Sequence, residues 1–192
     1  MTEDYLIESL IKIVTLAGNK ILEVYHNEAL FNSVQEKSDN SPLTLADQYA
    51  NQIIVENLQI LTPNIPIVSE EGKNIIYEER KNWPKFWLVD PLDGTKEFIK
   101  RNGQFTVNIA LIDNGRPKIG IIQIPVSGII YYANENGAFR ITGNEIQKIA
   151  VNHKKNAIVA IGSSSHASEN EAQFLKQFDI TCLLYTSDAA DE

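Results

Sequence analysis

The residues best suited to chemistry form one run, Asp90-Pro91-Leu92-Asp93-Gly94-Thr95, directly after the apolar stretch Phe86-Trp87-Leu88-Val89. Loops at strand ends, held by a rigid scaffold, are where reactive groups usually gather. Pro91 fixes φ just after Asp90 and predicts a sharp turn there. Two carboxylates three residues apart in such a turn can converge on one point, with the Leu92 carbonyl between them as a further oxygen. Gly94 allows close backbone approach. Thr95 then opens a short helix, Lys96 to Ile99, whose first free amides point back toward the same spot. A separate carboxylate, Glu70, follows a short apolar strand, Ile65 to Val68. Taken alone, Asp-Pro-x-Asp-Gly also reads as a solvated turn whose aspartate caps the next helix. The strand before it, and Glu70 at the end of another, favour a built site.

Hard oxygen ligands, no convergent cysteines and few histidines favour Mg2+ over zinc. A helix N-terminus beside such ions is a ready place for a phosphate. Together they imply phosphoryl transfer, most simply to water. The ions would neutralise charge on the phosphate oxygens and lower the pKa of a water beside them. They also explain how an acidic chain could bind a polyanion.

The elements that must carry these residues follow from periodicity. Residues 3–25 read as one amphipathic helix, with Leu6, Leu10, Ile13, Ala17, Ile21 and Val24 at three- and four-residue spacing. A second helix is predicted from about Thr44 to Leu61, after a polar loop at 35–41. After Gly103 the period changes. Phe105 to Ile112, Lys118 to Ile124, Ile129 to Ala133 and Ala138 to Ile141 read as four strands of an antiparallel meander. Ala157 to Ile161 reads as a further strand and Ser168 to Phe178 as a helix. This order predicts an α+β fold: a helix pair on a mostly antiparallel sheet over 1–150, then the start of an α/β unit over 151–181.

Composition narrows the partners. The 192 residues are 43% hydrophobic and 22% charged, with a net charge of −8, which suits a globular chain with a sizeable core. So acidic a chain offers no broad footprint for nucleic acid or anionic lipid. No apolar run approaches the ~18 residues of a membrane span. The acidic start, Met1-Thr2-Glu3-Asp4, is no signal peptide, so the default location is cytoplasmic. Peripheral association with the inner membrane and a homodimer both stay open. One cysteine, Cys182, leaves no internal disulfide and no cysteine metal cage.

Ile67-Val68-Ser69-Glu70-Glu71 followed by Trp87 to Phe98 resembles the inositol monophosphatase superfamily of Mg2+-dependent phosphatases. Lys96-Glu97-Phe98-Ile99-Lys100-Arg101 and then Phe105 to Ile112 resemble its bacterial 3'(2'),5'-bisphosphate nucleotidase branch. The resemblance covers residues 5–178 and implies a layered αβαβα sugar-phosphatase-like fold. The implied reaction is removal of the 3'-phosphate from adenosine 3',5'-bisphosphate, a small phosphate ester, with two or three Mg2+ ions. It makes Glu70, Asp90, the Leu92 carbonyl and Asp93 metal ligands. Thr95 would pair with Glu70 to orient and deprotonate the attacking water, and the Gly94 and Thr95 amides would hold the phosphate. Asp47 matches a position that helps bind a third ion, although Thr44-x-x-Asp47 also reads as a capping box. His166, in Ser163-Ser164-Ser165-His166, would lie beside the adenosine, and otherwise reads as a helix-entry residue. Ser164 stands where an arginine is usual. Alternative functions are an inositol or sugar monophosphate phosphatase, or a non-catalytic metal- or nucleotide-binding relative.

Residues 182–192 carry no periodic pattern, and their back-translation resembles a sequencing-library adapter. They are expected to be a non-native tail, with the natural gene cut near Thr181. The resemblance would then complete its site with a Trp-Asp-x-Ala-Ala-Gly segment that is missing here. On that reading the 192 residues alone are nearly inactive.

Overall fold

The structure, a computed structural model, describes residues 2–31, 35–36, 42–73, 75–151, 158–163, 173–178 and 180–186. Two compact units emerge, Met1–Ile149 and Ala150–Glu192.

The first unit begins with α1, Glu3–His26. Its N-cap, Thr2, accepts a hydrogen bond from the Tyr5 amide, and Glu3 and Asp4 complement the positive helix start. All six apolar positions read from the sequence are buried. A four-residue helix, α2 (Glu28–Phe31), follows, and two-residue strands β1 (Gln35–Glu36) and β2 (Pro42–Leu43) pair antiparallel, β1 at the start of the loop read over 35–41 and β2 just after it. Helix α3, Leu45–Leu61, turns Ala46, Asp47, Ala50, Ile54 and Leu58 inward. Asp47 is the exception in that list, a buried carboxylate among apolar side chains.

The helix pair packs on one face of a seven-stranded sheet of order β3-β4-β5-β6-β7-β8-β9. The strands are β3 (Ile67–Ser69), β4 (Lys85–Asp93), β5 (Thr106–Asp113), β6 (Arg116–Ile124), β7 (Ile129–Asn134), β8 (Gly137–Thr142) and β9 (Glu145–Ile149). The short helices α4 (Tyr77–Arg80) and α5 (Thr95–Ile99) flank β4 in sequence. Only β3 and β4 run parallel; every other pair is antiparallel. The α+β class expected from the sequence is what the unit shows. Trp87 and Phe98 lie fully buried in the core between helices and sheet. The Trp87 indole donates to the Thr62 hydroxyl at 2.9 Å, so its one polar atom is satisfied.

Two differences from the sequence reading concern strands. β4 does not stop at Asp90 but continues to Asp93. Asp90 pairs with Asn108 and Asp93 with Thr106, so β4 gains one residue on β5 between them. Pro91 therefore sits in a bulge rather than in a sharp turn, where its missing N–H breaks no ladder bond. β9 was not expected, because nearly all of its residues are exposed and polar ones dominate.

In the second unit, β10 (Ile158–Ser163) pairs in parallel with β11 (Ile180–Thr186). The second strand runs into the segment read as patternless. Of the helix expected over 168–178, the structure describes 173–178, and 173–175 are helical. Among the described residues no helix is long and apolar enough to cross a membrane.

Candidate active site

The parallel register of β3 and β4 sets Ser69 opposite Val89, so Glu70, just past the end of β3, stands beside Asp90 within β4. The Glu70 amide donates to the Val89 carbonyl at 3.0 Å and extends the pairing by one residue. Along β4 the bulge then turns Leu92 into the core, 1% exposed, and leaves Asp93 half-buried. Gly94 follows at φ 88° and ψ 43°, a left-handed conformation that suits glycine. It starts α5, and the Phe98 amide donates back to the Gly94 carbonyl at 2.9 Å.

Asp93 is held by neutral donors from β5. Its Oδ2 lies 3.3 Å from Asn108 Nδ2 and 3.5 Å from Thr106 Oγ1. Burial pushes its carboxyl above the usual range; the Asn108 and Thr106 bonds oppose that, and neighbouring Glu70 and Glu97 add to it. Asp47 shows the same pattern more strongly. Its Oδ2 accepts from the Thr44 amide at 2.8 Å and the Thr44 hydroxyl at 2.5 Å. Burial nevertheless pushes it up to about 6, with Glu71 contributing in the same direction. The capping box read from the sequence is therefore real, with both of its reciprocal bonds formed.

Thr95 connects Asp47 with the backbone just before Asp93. Its hydroxyl lies 3.2 Å from Asp47 Oδ1 and 3.3 Å from the Leu92 carbonyl, and donates to one of them at a time. The sequence reading has Thr95 and Glu70 act together on the attacking water; the structure adds a bond that reading did not contain, from the Thr95 hydroxyl to Asp47. That reading also missed Thr106 and Asn108. Their signal was two polar residues at alternate positions of an apolar strand, which needs the register with β4 to become meaningful.

Glu70, Asp90, Leu92, Asp93, Thr95 and Asp47 thus come from the ends of β3, β4 and the start of α3 into one neighbourhood. Among the described residues, however, no three Asp, Glu, His or Cys side chains already form a closed metal cage. The carboxylates meet as neighbours, Asp93 with Glu70 and Glu97, and Asp47 with Glu71. Their donors are neutral and the charges acting on them are acidic. That is the donor chemistry a hard divalent cation fits, since oxygen ligands with unbalanced negative charge gain most from it. Lys100 and Arg101, the two cations at the end of α5, are each ion-paired. Lys100 pairs with Glu97 at 3.2 Å and Arg101 with Glu28 at 2.9 Å. His166 lies outside the described residues.

Comparison with known proteins places this arrangement. The chain is 42% identical over 172 residues to the 3'(2'),5'-bisphosphate nucleotidase CysQ of Salmonella typhimurium, covering 90% of this chain and 69% of that protein. The corresponding protein of Haemophilus influenzae is 33% identical over 183 residues, 93% of this chain and 66% of its own length. The crystal structure of CysQ from Bacteroides thetaiotaomicron superposes with a TM-score of 0.77 at 34% identity, over 93% of this chain and 71% of that one. The Thermotoga maritima IMPase shares the fold, with a TM-score of 0.76 at 23% identity over 97% of this chain and 70% of its own. The inositol monophosphatase family as a whole matches residues 2–184. With the match running through both helices of the pair, the whole sheet and the Asp90–Thr95 segment, the chain belongs to the inositol monophosphatase family.

Proposed function

We propose that this protein is a Mg2+-dependent phosphatase that removes the 3'-phosphate of adenosine 3',5'-bisphosphate, giving AMP and inorganic phosphate. The observation that carries this is the Asp47–Thr95 hydrogen bond standing beside the Glu70, Asp90 and Asp93 carboxylates. Relatives named 3'(2'),5'-bisphosphate nucleotidase, at 33% to 42% identity, supply the substrate class.

Glu70, Asp90, Asp93 and the Leu92 carbonyl would hold the cations, and Asp47 would reach a third. When bound, these cations supply charge neutralisation on the phosphate and acidify water. The chain's own part is positional and acid–base. With the Thr95 hydroxyl donating to Asp47, the Thr95 oxygen is left to accept a proton from the attacking water. Asp47, the acceptor of the Thr95 hydroxyl, is the group positioned to take up the proton that Thr95 passes on. Asn108 and Thr106 keep the Asp93 carboxylate from rotating away.

The test is phosphate release from adenosine 3',5'-bisphosphate and from inositol 1-phosphate, each with Mg2+ and with EDTA. The same reading puts part of the substrate pocket outside these 192 residues. The chain is therefore assayed both alone and extended with the C-terminal segment of the Salmonella relative. Mg2+-dependent release from the bisphosphate by the extended chain supports the proposal. Preference for the inositol phosphate would make it an inositol or sugar phosphatase instead, and no release from either would refute catalysis.

A further inference from the structure

Helix α5 is five residues long and cannot hold itself together in water. Its placement decides where Thr95 sits, because Thr95 is its first residue. One anchor is Phe98, fully buried, whose ring lies 5.2 Å from Tyr25, 5.3 Å from Phe31 and 5.3 Å from Phe105. The other is at the far end of the helix.

Arg101 has φ 55°, in the left-handed region that favours glycine. There its amide donates to the Phe98 carbonyl at 3.0 Å, and the Asn102 amide donates to the Glu97 carbonyl at 3.3 Å. These two bonds make a Schellman closure of α5, with arginine where glycine is the usual occupant. Glycine would form the same closure with less backbone strain, so the side chain must supply the reason for arginine. Its guanidinium lies 4.0 Å over the Phe31 ring, and Nη2 lies 2.9 Å from Glu28 Oε1. Phe31 in turn stacks on Phe98. Guanidinium, ring and ring form a clamp running from the end of α5 into its interior.

We propose that Arg101 is a positioning residue. By clamping the end of α5 through Phe31 and Phe98 it keeps Thr95 within reach of Asp47. The catalytic consequence rests on the phosphatase reading above, while the clamp itself is measurable without turnover.

The experiment is amide hydrogen exchange and methyl NMR on the full 192-residue chain, comparing Arg101→Gly, Arg101→Asn, Arg101→Lys and Glu28→Gln. Glycine and asparagine both tolerate the left-handed backbone but delete the clamp. They are expected to speed exchange of the Phe98 and Lys100 amides about three- to fivefold, the scale of one exposed cation–π contact in a local opening equilibrium. The Thr95 methyl signal should move with them. Lysine keeps a cation over the ring and should restore most of the protection. Glu28→Gln removes only an exposed ion pair and should change exchange less than about twofold. In the extended chain, Arg101→Gly should lower kcat at unchanged KM, with Arg101→Lys recovering it. Wild-type exchange and an unmoved Thr95 signal in both Arg101→Gly and Arg101→Asn would overturn the proposal. Absence of all turnover in the unsubstituted extended chain would instead refute the phosphatase reading and leave the exchange result standing.

Discussion

Replacing Asp47 by asparagine separates what this carboxylate costs the fold from what it does in the site. Asp47 is 1% exposed, and burial raises its carboxyl from 3.8 to about 6. At about 1.36 kcal/mol per unit, ionising it costs the folded state about 3 kcal/mol relative to the unfolded chain. Because the folded value is the higher one, the folded state keeps its proton to higher pH. The associated stability is present in full below pH 3.8, falls as pH rises toward about 6, and is gone above that. Asparagine never ionises. Its carbonyl can still accept from the Thr44 amide, and its amide can donate to the Thr95 oxygen, so the local bonds survive in altered form. The stability of Asp47→Asn relative to wild type should therefore rise by about 3 kcal/mol between about pH 4 and pH 7.5. For a chain of this size that is a relative Tm shift of about 6–12 °C. Urea unfolding of both proteins across that pH range, without divalent cations, measures it. Adding Mg2+ at neutral pH should raise the wild-type Tm and narrow the gap, because a cation bound beside the carboxylates offsets their charge. In the chain extended with the C-terminal segment of the Salmonella relative, phosphate release should meanwhile fall by roughly 100-fold or more, the general-base contribution lost. Parallel stability profiles, within about 1 kcal/mol over the whole range, would refute the view that Asp47 is ionised at a cost.

Asp93→Asn should fold as well as wild type, since burial already disfavours its charge, yet in the extended chain lower phosphate release by roughly two orders of magnitude; circular dichroism beside the assay checks both halves. Gly18→Ala should cost at most about 1 kcal/mol in urea unfolding, because the added Cβ displaces the buried Gln123 amide, 2.2 Å away at Oε1, while alanine favours the helix by about 1 kcal/mol. The loss should shrink in a Gln123→Ala background, where the two side chains no longer collide. Thr62→Val leaves the buried Trp87 indole N–H without its partner and should cost about 1–3 kcal/mol, read by unfolding and by a shifted tryptophan emission.

What the sequence could show depended on whether the information was local. α1 and α3 were legible because their apolar residues repeat at helical spacing and that stripe is what the sheet buries. The meander was legible through Asn114-Gly115, Gly128 and Gly137, turn positions with positive φ. β9 was not, because an exposed edge strand is held by its ladder to β8 and needs no apolar alternation. The bulge at 91–92 was misread because proline signals a turn locally, whereas the register with β5 shows that the strand resumes. The site divides in the same way. Glu70, Asp90, Asp93 and Thr95 follow short apolar runs closely in sequence, a local signal. Asn108, Thr106 and the Asp47–Thr95 bond exist only through pairings between segments 13 to 48 residues apart.

Those long-range partners explain why the carboxylates tolerate one another. Asp47 and Asp93 are each desolvated and each faces another acid, a combination that would ordinarily drive them to take up protons or swing apart. Threonine and asparagine donors from α3's cap and from β5 hold them in place without cancelling their charge. An arginine or lysine in the same positions would lower their pKa values more effectively, but it would also supply the positive charge that a cation could otherwise bring. Neutral donors keep the carboxylates oriented and leave the deficit open. On this argument the instability that Asp47→Asn relieves and the affinity for a divalent cation are one quantity seen from two sides. The variant most stabilised in the absence of metal should be the one that metal stabilises least.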